Sequence, residues 1–391
     1  MTPDFGTAHR FTRRLAGREP FDGQALLRFL AARAVPGVEE VSGGRYARTV
    51  RVPGGWGLIE LVPPAAHTDE EGQAGGRATR HRPAAGPGRA GEAQVLLRAR
   101  LTGPRGIGQV ASRCRRLFDL DADPRAIDAA LAADGTLAPL VAAHPGLRVP
   151  GAYDGFELAV RAVIGQQVSV AGASTLTGRV AARWGTPLGA AGTTGPGVTT
   201  RPTGTTGPTG TTGRNGAAGP AGPLTVLFPT PADLAGADLS GLGLTTARQV
   251  TLRALAAACA DGRLNLDSGT DPEETAARLA ELPGVGPWTV AYILMRAVAD
   301  PDAFPASDLG LRRAMERLGC GPGHDGRWRP WRAYAAVHLW VSLAEPGARA
   351  GPAALTGPAA PAAPTARPAS GAGPGTQSVM PSASLAANGR E

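Results

Sequence analysis

Three stretches rich in Gly, Ala, Pro or Thr constrain this chain more than any other feature, because they divide it into blocks that can fold. Residues 66–92 are polar and unpatterned, residues 186–224 repeat Gly, Thr and Pro ("GTTGPTGTTG"), and residues 346–391 are rich in Ala, Pro, Gly and Ser. Such compositions lack the apolar side chains that a buried core requires. We therefore expect a loop insertion, a low-complexity insertion and a disordered tail, in that order.

The remaining sequence predicts two domains after an N-terminal extension over 1–20. Within 21–150, "FDGQALLRFLAARA" has helical spacing, and "RYARTVRVPGGWGLIELVPP" has the pattern of two strands around a Pro-Gly-Gly turn. Residues 151–345 are patterned as helices nearly throughout, apart from the low-complexity insertion. The predicted fold class is α+β, with a small α+β N-terminal domain followed by a mostly α-helical domain.

The charge balance favours a polyanionic partner. The chain has 40 Lys+Arg against 32 Asp+Glu, a net charge of +8, and every basic residue is arginine. Its three cysteines and six histidines match neither a zinc site nor an iron–sulfur cluster. No segment has membrane-spanning length and apolarity, and the N-terminus lacks a signal pattern. We expect a cytoplasmic, monomeric, nucleic-acid-binding protein with no catalytic metal and no membrane contact.

The stretch "LPGVGPWT" at 282–289 predicts a tight turn between two helices. Pro283 and Gly284 end the preceding helix, and Pro287 suits the first turn of the next one. Glycines at both bends expose backbone N–H groups beside a helix N-terminus, which suits a phosphodiester. The alternative is a simple connection between packed helices. A Walker loop is excluded, because no lysine follows and no buried strand precedes the turn.

Asp308 opens a predicted helix within "DPDAFPASDLGL", residues 300–311. Its simplest role is that of a helix N-cap. The same carboxylate, held near a nucleic-acid groove, could stabilise positive charge that develops on a sugar. The two roles can coexist, so both stay open on the sequence alone.

Aromatic residues cluster around the turn and the aspartate. Trp288 and Tyr292 share a helix face through i,i+4 spacing, and Trp340 lies in the last predicted helix. Such residues either form core or make a cage for an extruded base, which would bind best if it were positively charged.

The stretch "RAVIGQQVSVAGA", residues 161–173, interrupts an apolar pattern with Gly165, Gln166 and Gln167. It is either a helix–helix junction or a turn that exposes Ile164 as an apolar wedge. In the second case the glutamines are available for base edges or phosphates.

Turn, aromatic helix and aspartate together resemble the helix-hairpin-helix, Gly/Pro-Asp superfamily of DNA base-excision glycosylases, and within it the DNA-3-methyladenine glycosylase II family. Two more segments are similar to that family, "FLAARAVPGVEEV…YARTV" and "CRRLFDLDADP…HPGLRVPG", as is "RAVIGQQVSVAGA". The resemblance covers residues 21–345 without the two insertions. It implies a TATA-binding-protein-like N-terminal domain and a helical glycosylase domain of two lobes with a cleft between them.

The resemblance also implies roles for individual residues. Asp308 matches the catalytic aspartate, and Ile164 stands where the family has its intercalating wedge. Phe29 joins the three aromatic residues around the base pocket, and Leu309 stands where an aromatic residue can occur in relatives. The hairpin that grips the DNA backbone, through amides and a bound monovalent cation (Na⁺ or K⁺), is matched by Leu282, Pro283, Gly284, Val285 and Gly286. No other cofactor is implied, and the expected partner is double-stranded DNA with alkylated bases.

The absence of lysine selects between the two chemistries of this superfamily. Members with lyase activity attack the sugar with a lysine of the helix after the hairpin, but Trp288 begins that helix here and the chain contains no lysine. The expected reaction is monofunctional hydrolysis, in which Asp308 stabilises an oxocarbenium-like sugar, orients water and leaves an abasic site.

The expected substrate is an alkylated purine of the 3-methyladenine type. No second carboxyl group stands out to protonate a leaving base, and a base alkylated at a ring nitrogen is already cationic and leaves without that help. Two alternatives remain. One is a non-catalytic DNA-damage sensor of the same fold, which could lose Asp308. The other is a glycosylase for deaminated or oxidised bases.

Overall fold

An antiparallel sheet forms the N-terminal part of the fold. The structure, a computed structural model, describes residues 8–64, 91–188, 223–267 and 269–344. In space, the strands of the sheet follow the order first, fifth, fourth, third and second. In chain order they are β1 (His9–Arg18), β2 (Glu39–Ser42), β3 (Arg45–Val52), β4 (Gly55–Val62) and β5 (Glu92–Leu101).

The predicted N-terminal extension over 1–20 is wrong for residues 9–18, which form β1, one of the two edge strands of this sheet, while residues 1–7 lie outside the described residues. Strand β1 pairs with β5 along its whole length, from His9 opposite Leu101 to Arg18 opposite Glu92. Phe11 and Leu15 point to the core side of the strand. Arg13 takes the position between them on the same side of the strand, so the period-2 alternation that would have predicted a strand is interrupted.

The two strands predicted around the Pro-Gly-Gly turn are confirmed as β3 and β4. The loop insertion predicted at 66–92 and the tail predicted at 346–391 lie almost wholly outside the described residues, as does most of the insertion predicted at 186–224. The ends of that second insertion are described. Strand β6 (Thr186–Pro187) pairs with β7 (Val226–Leu227), and this pair packs on the sheet at Trp56.

Helices predominate after the sheet, as predicted. The segment 156–184 forms two helices rather than one, separated at Gly165 and the glutamines. The helices are α1 (Gly23–Ala31), α2 (Ile107–Leu117), α3 (Pro124–Ala132), α4 (Ala138–Ala143), α5 (Gly155–Ile164), α6 (Val170–Trp184), α7 (Pro231–Ala235), α8 (Thr246–Ala260), α9 (Pro272–Ala280), α10 (Pro287–Ile293), α11 (Leu309–Arg317) and α12 (Arg332–Ala344). A π-helical turn, Leu294–Val298, follows α10 directly.

Three apolar cores hold these elements together. The inner face of the sheet packs on α1 and α2. A second core joins α5, α6, α8 and α9, and a third joins α3, α4, α11 and α12. Tyr292 on α10 packs against both the second and the third core, so α10 lies between the two helical groups. Among the described residues, no helix is both long and apolar enough to cross a membrane.

Candidate active site

Asp308 is the N-cap of α11 and is also held by two tryptophans. Its Oδ1 accepts the backbone N–H of Leu311 at 3.0 Å, as the cap role requires. The indole N–H of Trp288 donates to Oδ2 at 3.0 Å, and that of Trp340 donates to Oδ1 at 3.1 Å. The residue is 5% exposed. Three donors from three helices therefore fix the carboxylate at the edge of a cavity that it helps to line.

The predicted aromatic residues meet beside this carboxylate. The rings of Trp288 and Tyr292 stack with centroids 5.0 Å apart and planes 11° apart, and Trp340 meets Tyr292 edge-on at 6.3 Å. A base sandwiched between two rings needs them about 7 Å apart, twice the van der Waals distance. The stacked pair therefore forms one wall of the cavity, rather than the two sides of a cage.

The opposite wall comes from α5, α6 and the turn between them. Small and apolar side chains line it, including Leu158, Ala162 and Ala173. Two predicted pocket residues do not line the cavity. Phe29 lies behind the aromatic wall, 6.4 Å from the Trp340 ring, and Leu309 is half-buried on α11 with its side chain outside the cavity. Leu309 follows Asp308, and the helix turns it away from the cleft.

Three arginines line the cavity, and the sequence analysis did not single them out. Arg296 donates to the Tyr292 hydroxyl at 2.6 Å and to the carbonyls of Pro150 and Gly151. Arg33 lies 3.7 Å from the centroid of the Phe29 ring. Both arginines stand four residues after an aromatic residue on the same helical stretch, and this i,i+4 spacing is the signal that could have found them.

Burial and mutual repulsion shape the charges in the cavity. Burial lowers the pKa of Arg33 to about 10. Burial would raise the pKa of the Tyr292 hydroxyl, but the guanidinium groups of Arg296 and Arg33 outweigh it and lower that pKa. The third arginine, Arg161, is paired with carboxylates, so its charge is compensated.

A buried ion network ties Arg161 to the sheet. Arg161 contacts Glu39 at 2.9 Å and Glu157 at 3.2 Å, and Arg48 on β3 contacts Glu157 at 2.6 Å. Burial opposes the ionisation of Glu39, but Arg161 and Arg48 outweigh it and lower its pKa. Arg161 also donates to the backbone carbonyl of Arg33. The network thus fixes the end of α1 against α5, next to the cavity.

The stretch 282–286 forms the predicted hairpin between α9 and α10. Gly284 has φ +76°, and a Cβ atom there would lie 2.3 Å from Oγ1 of Thr251 on α8. Gly286 has nothing within 4 Å of a Cβ position. Leu282 and Val285 pack against the helical core, whereas Pro283 is exposed. One side of the hairpin is thus packed against the helical core, and the other side is exposed.

The predicted wedge at Ile164 is wrong. Ile164 is fully buried in the core at the end of α5, because the helix continues through it and turns its side chain inward. Gln167, with φ +58°, is exposed in the turn, as is Ser169, the N-cap of α6. Gln166 instead bridges to the hairpin, since its Nε2 donates to the Gly284 carbonyl and to Thr289 Oγ1, each at 3.0 Å.

Comparison with known proteins is consistent with this arrangement. The family model of the AlkA N-terminal domain matches residues 12–154. A solved 3-methyladenine DNA-glycosylase from Archaeoglobus fulgidus superposes with a TM-score of 0.60 at 18% identity, covering 85% of this chain and 98% of that one. This likeness establishes the fold, an α+β domain followed by a mostly helical domain.

Two relatives match in sequence over most of the chain. A Mycobacterium tuberculosis protein, the probable bifunctional transcriptional activator/DNA repair enzyme AlkA, is 41% identical over 339 residues. The match covers 85% of this chain but 57% of that protein, so the chain spans little more than half of its length. DNA-3-methyladenine glycosylase 2 of Escherichia coli is 33% identical over 334 residues, which cover 83% of this chain and 94% of the relative. The chain therefore belongs to the DNA-3-methyladenine glycosylase 2 (AlkA) family.

Proposed function

We propose that this chain is a monofunctional DNA glycosylase that extrudes alkylated purines from duplex DNA and hydrolyses the N-glycosidic bond. The observation that carries the proposal is the Asp308 carboxylate, oriented by two indole N–H groups at the edge of an aromatic-walled cavity. Family membership supports the same reading, because relatives carry the name 3-methyladenine glycosylase.

In the proposed reaction Asp308 stabilises the oxocarbenium-like sugar and orients the attacking water. Of the described residues that line the cavity, Asp308 is the only carboxylate. A cationic alkylated base needs no acid to leave, so one carboxylate suffices for such a substrate. The flat face of the Trp288/Tyr292 stack is suited to the electron-poor ring of an alkylated purine. The abasic site is the product.

We propose that the hairpin and the neighbouring turn contact the DNA. The open space in front of Gly286 allows a phosphate to approach the hairpin backbone. Gln167, exposed beside it, is proposed to fill the space that the extruded nucleotide leaves in the duplex. A polar side chain at this point can also hydrogen-bond to the unpaired opposite base.

A monovalent cation at the hairpin is part of the proposal. Among the described residues there is no cluster of His, Cys, Asp or Glu that could hold a metal ion, and Na⁺ or K⁺ would take backbone carbonyls instead, as hard cations prefer oxygen. Carbonyls around Leu282 and Gly284 would hold it. We expect tighter duplex binding in KCl or NaCl than in tetramethylammonium chloride at equal ionic strength, and equal binding would exclude the cation.

The absence of lyase activity follows from the missing lysine. Trp288 lies in the first turn of α10, the helix where a lyase would carry its amine, and the chain has no lysine. We expect borohydride to trap no covalent adduct between a side chain and alkylated DNA, while alkali cleaves the abasic product. A trapped adduct that maps to a side chain would contradict the proposed chemistry.

The decisive experiment is Asp308→Asn. We expect release of 3-methyladenine from alkylated duplex DNA to fall by at least about 100-fold, the loss typical of a removed charge-stabilising group, while duplex binding persists. If release is unchanged, the mechanism is wrong. If neither the wild-type chain nor the variant releases any base, yet both prefer damaged duplex, the chain is a damage sensor.

A further inference from the structure

The outer face of the sheet carries a row of arginines far from the cavity. Arg10 and Arg14 on β1, and Arg98 and Arg100 on β5, share the face turned away from α1 and α2, as the strand register requires. All four are exposed. We call these four residues the β1–β5 arginine face.

Two of these arginines oppose each other directly. Arg10 pairs with Arg100 across β1 and β5, so the two guanidinium groups start from adjacent backbone positions on one face. Like charges at directly opposite positions of an antiparallel pair destabilise a sheet. Within the described part of the chain neither residue has an ion-pair partner, whereas Arg98 lies 3.7 Å from Glu60. Among the described residues nothing compensates this repulsion, and such a departure from a local rule is expected where an external ligand supplies the missing charge.

One acidic side chain, Glu60, contacts an arginine of this face. Glu60 on β4 is shared between Arg98 and Arg45, at 3.7 Å and 2.6 Å, so it compensates only part of the excess. The β6–β7 pair, from which residues 189–222 emerge, packs on the same face at Trp56 and Leu58.

The active-site cavity lies on the other side of the sheet. It is lined by Arg33, just after α1, and α1 packs on the inner face. When a duplex is bound at Asp308, the base pairs next to the lesion therefore do not contact the β1–β5 arginine face. We propose that the β1–β5 arginine face binds the phosphate backbone of a second stretch of the same DNA, away from the lesion, and so retains the protein on long DNA. The inference rests on the proposed function only in taking DNA as the polyanion.

The test compares the double variant Arg10→Gln/Arg100→Gln with a control that loses the same charge, Arg125→Gln/Arg263→Gln. The two control arginines are exposed, Arg125 on α3 and Arg263 after α8. Binding to a lesion-free duplex of about twenty helical turns is measured across a salt series, together with base release from a lesion duplex of about one and a half turns. The loss of two phosphate contacts makes the negative slope of log binding constant against log salt concentration shallower by about 1.8. We expect that loss in the first variant only, with base release from the short duplex unchanged and the melting temperature unchanged or raised.

Equal slopes for the first variant and the wild type would overturn the inference and leave the arginines as protection of an exposed edge strand against pairing. An equal drop in slope for both variants would also overturn it, since the effect would then be one of net charge. The experiment can contradict the proposed function and the β1–β5 arginine face independently of each other. If the wild-type chain releases no base from the short duplex, the proposed function fails, while the salt slope still decides whether this face binds DNA.

Discussion

The indole N–H of Trp288 donates to Oδ2 of Asp308 across 3.0 Å, and both residues are buried. The same indole ring forms one half of the stacked wall, with Tyr292 as the other half. One side chain thus orients the carboxylate and forms part of the cavity wall, and a substitution can separate the two roles.

Trp288→Phe keeps an aromatic ring on the wall and removes the donor. A hydrogen bond to a charged group contributes about 1.5–3 kcal/mol, so we expect single-turnover base release to slow by about 10- to 100-fold while duplex affinity changes little. Trp331→Phe is the matched control, because Trp331 packs edge-on against Tyr334 and does not contact Asp308. Equal rates for Trp288→Phe and the wild type would show that the indole N–H does not contribute to catalysis.

Arg33→Gln tests whether Arg33 assists the release of neutral bases. A neutral purine such as hypoxanthine leaves with negative charge, which the Arg33 guanidinium can stabilise, whereas a cationic alkylated purine leaves neutral. We expect release of hypoxanthine to fall about 10-fold more than release of 7-methylguanine, measured as the ratio of single-turnover rates. Arg28→Gln, on the exposed side of α1, is the control. A parallel fall for both bases would assign Arg33 a structural role instead.

Gly284→Ala and Gly286→Ala separate folding from DNA contact. At Gly284 a Cβ atom meets Thr251 at 2.3 Å with φ +76°, so we expect a loss of stability of about 1–3 kcal/mol, seen as a lower melting temperature. At Gly286 the Cβ position is open, so the fold should persist while a phosphate is kept at a greater distance. Weaker duplex binding at an unchanged melting temperature is the expected result, and unchanged binding would remove Gly286 from the DNA interface.

His338 makes the fold sensitive to acid. Burial, and to a smaller extent the nearby His144, lowers the pKa of His338 to about 4. The unfolded chain, with a histidine pKa near 6.5, therefore binds more protons between pH 6.5 and 4, so stability is lost as the pH falls through this range. The full effect is about 3 kcal/mol. We expect His338→Leu to flatten the decline in denaturation midpoint over this range, and a wild-type slope in the variant would contradict the assignment.

The site could be predicted from the sequence where the chemistry is local. Local patterns of a few residues each predict Asp308, the glycine hairpin and the i,i+4 aromatic pair. The side chain exposed in the α5–α6 turn could not be predicted, since whether Ile164 or Gln167 faces outward depends on where α5 ends. The arginines of the cavity reach it from three helical segments that are distant in sequence, and β1 was not predicted because Arg13 interrupts the apolar alternation of Phe11 and Leu15.

The hydrogen bonds from Gln166 to Gly284 and Thr289 have a consequence for how DNA is searched. They join the backbone of the hairpin to the turn that presents Gln167, so the spacing between these two elements is set before DNA arrives. On the proposed function, we expect this fixed spacing to favour a duplex already kinked at a weakened base pair over a straight duplex with intact stacking. Selection among base pairs then begins with the stiffness of the DNA, before any base enters the cavity.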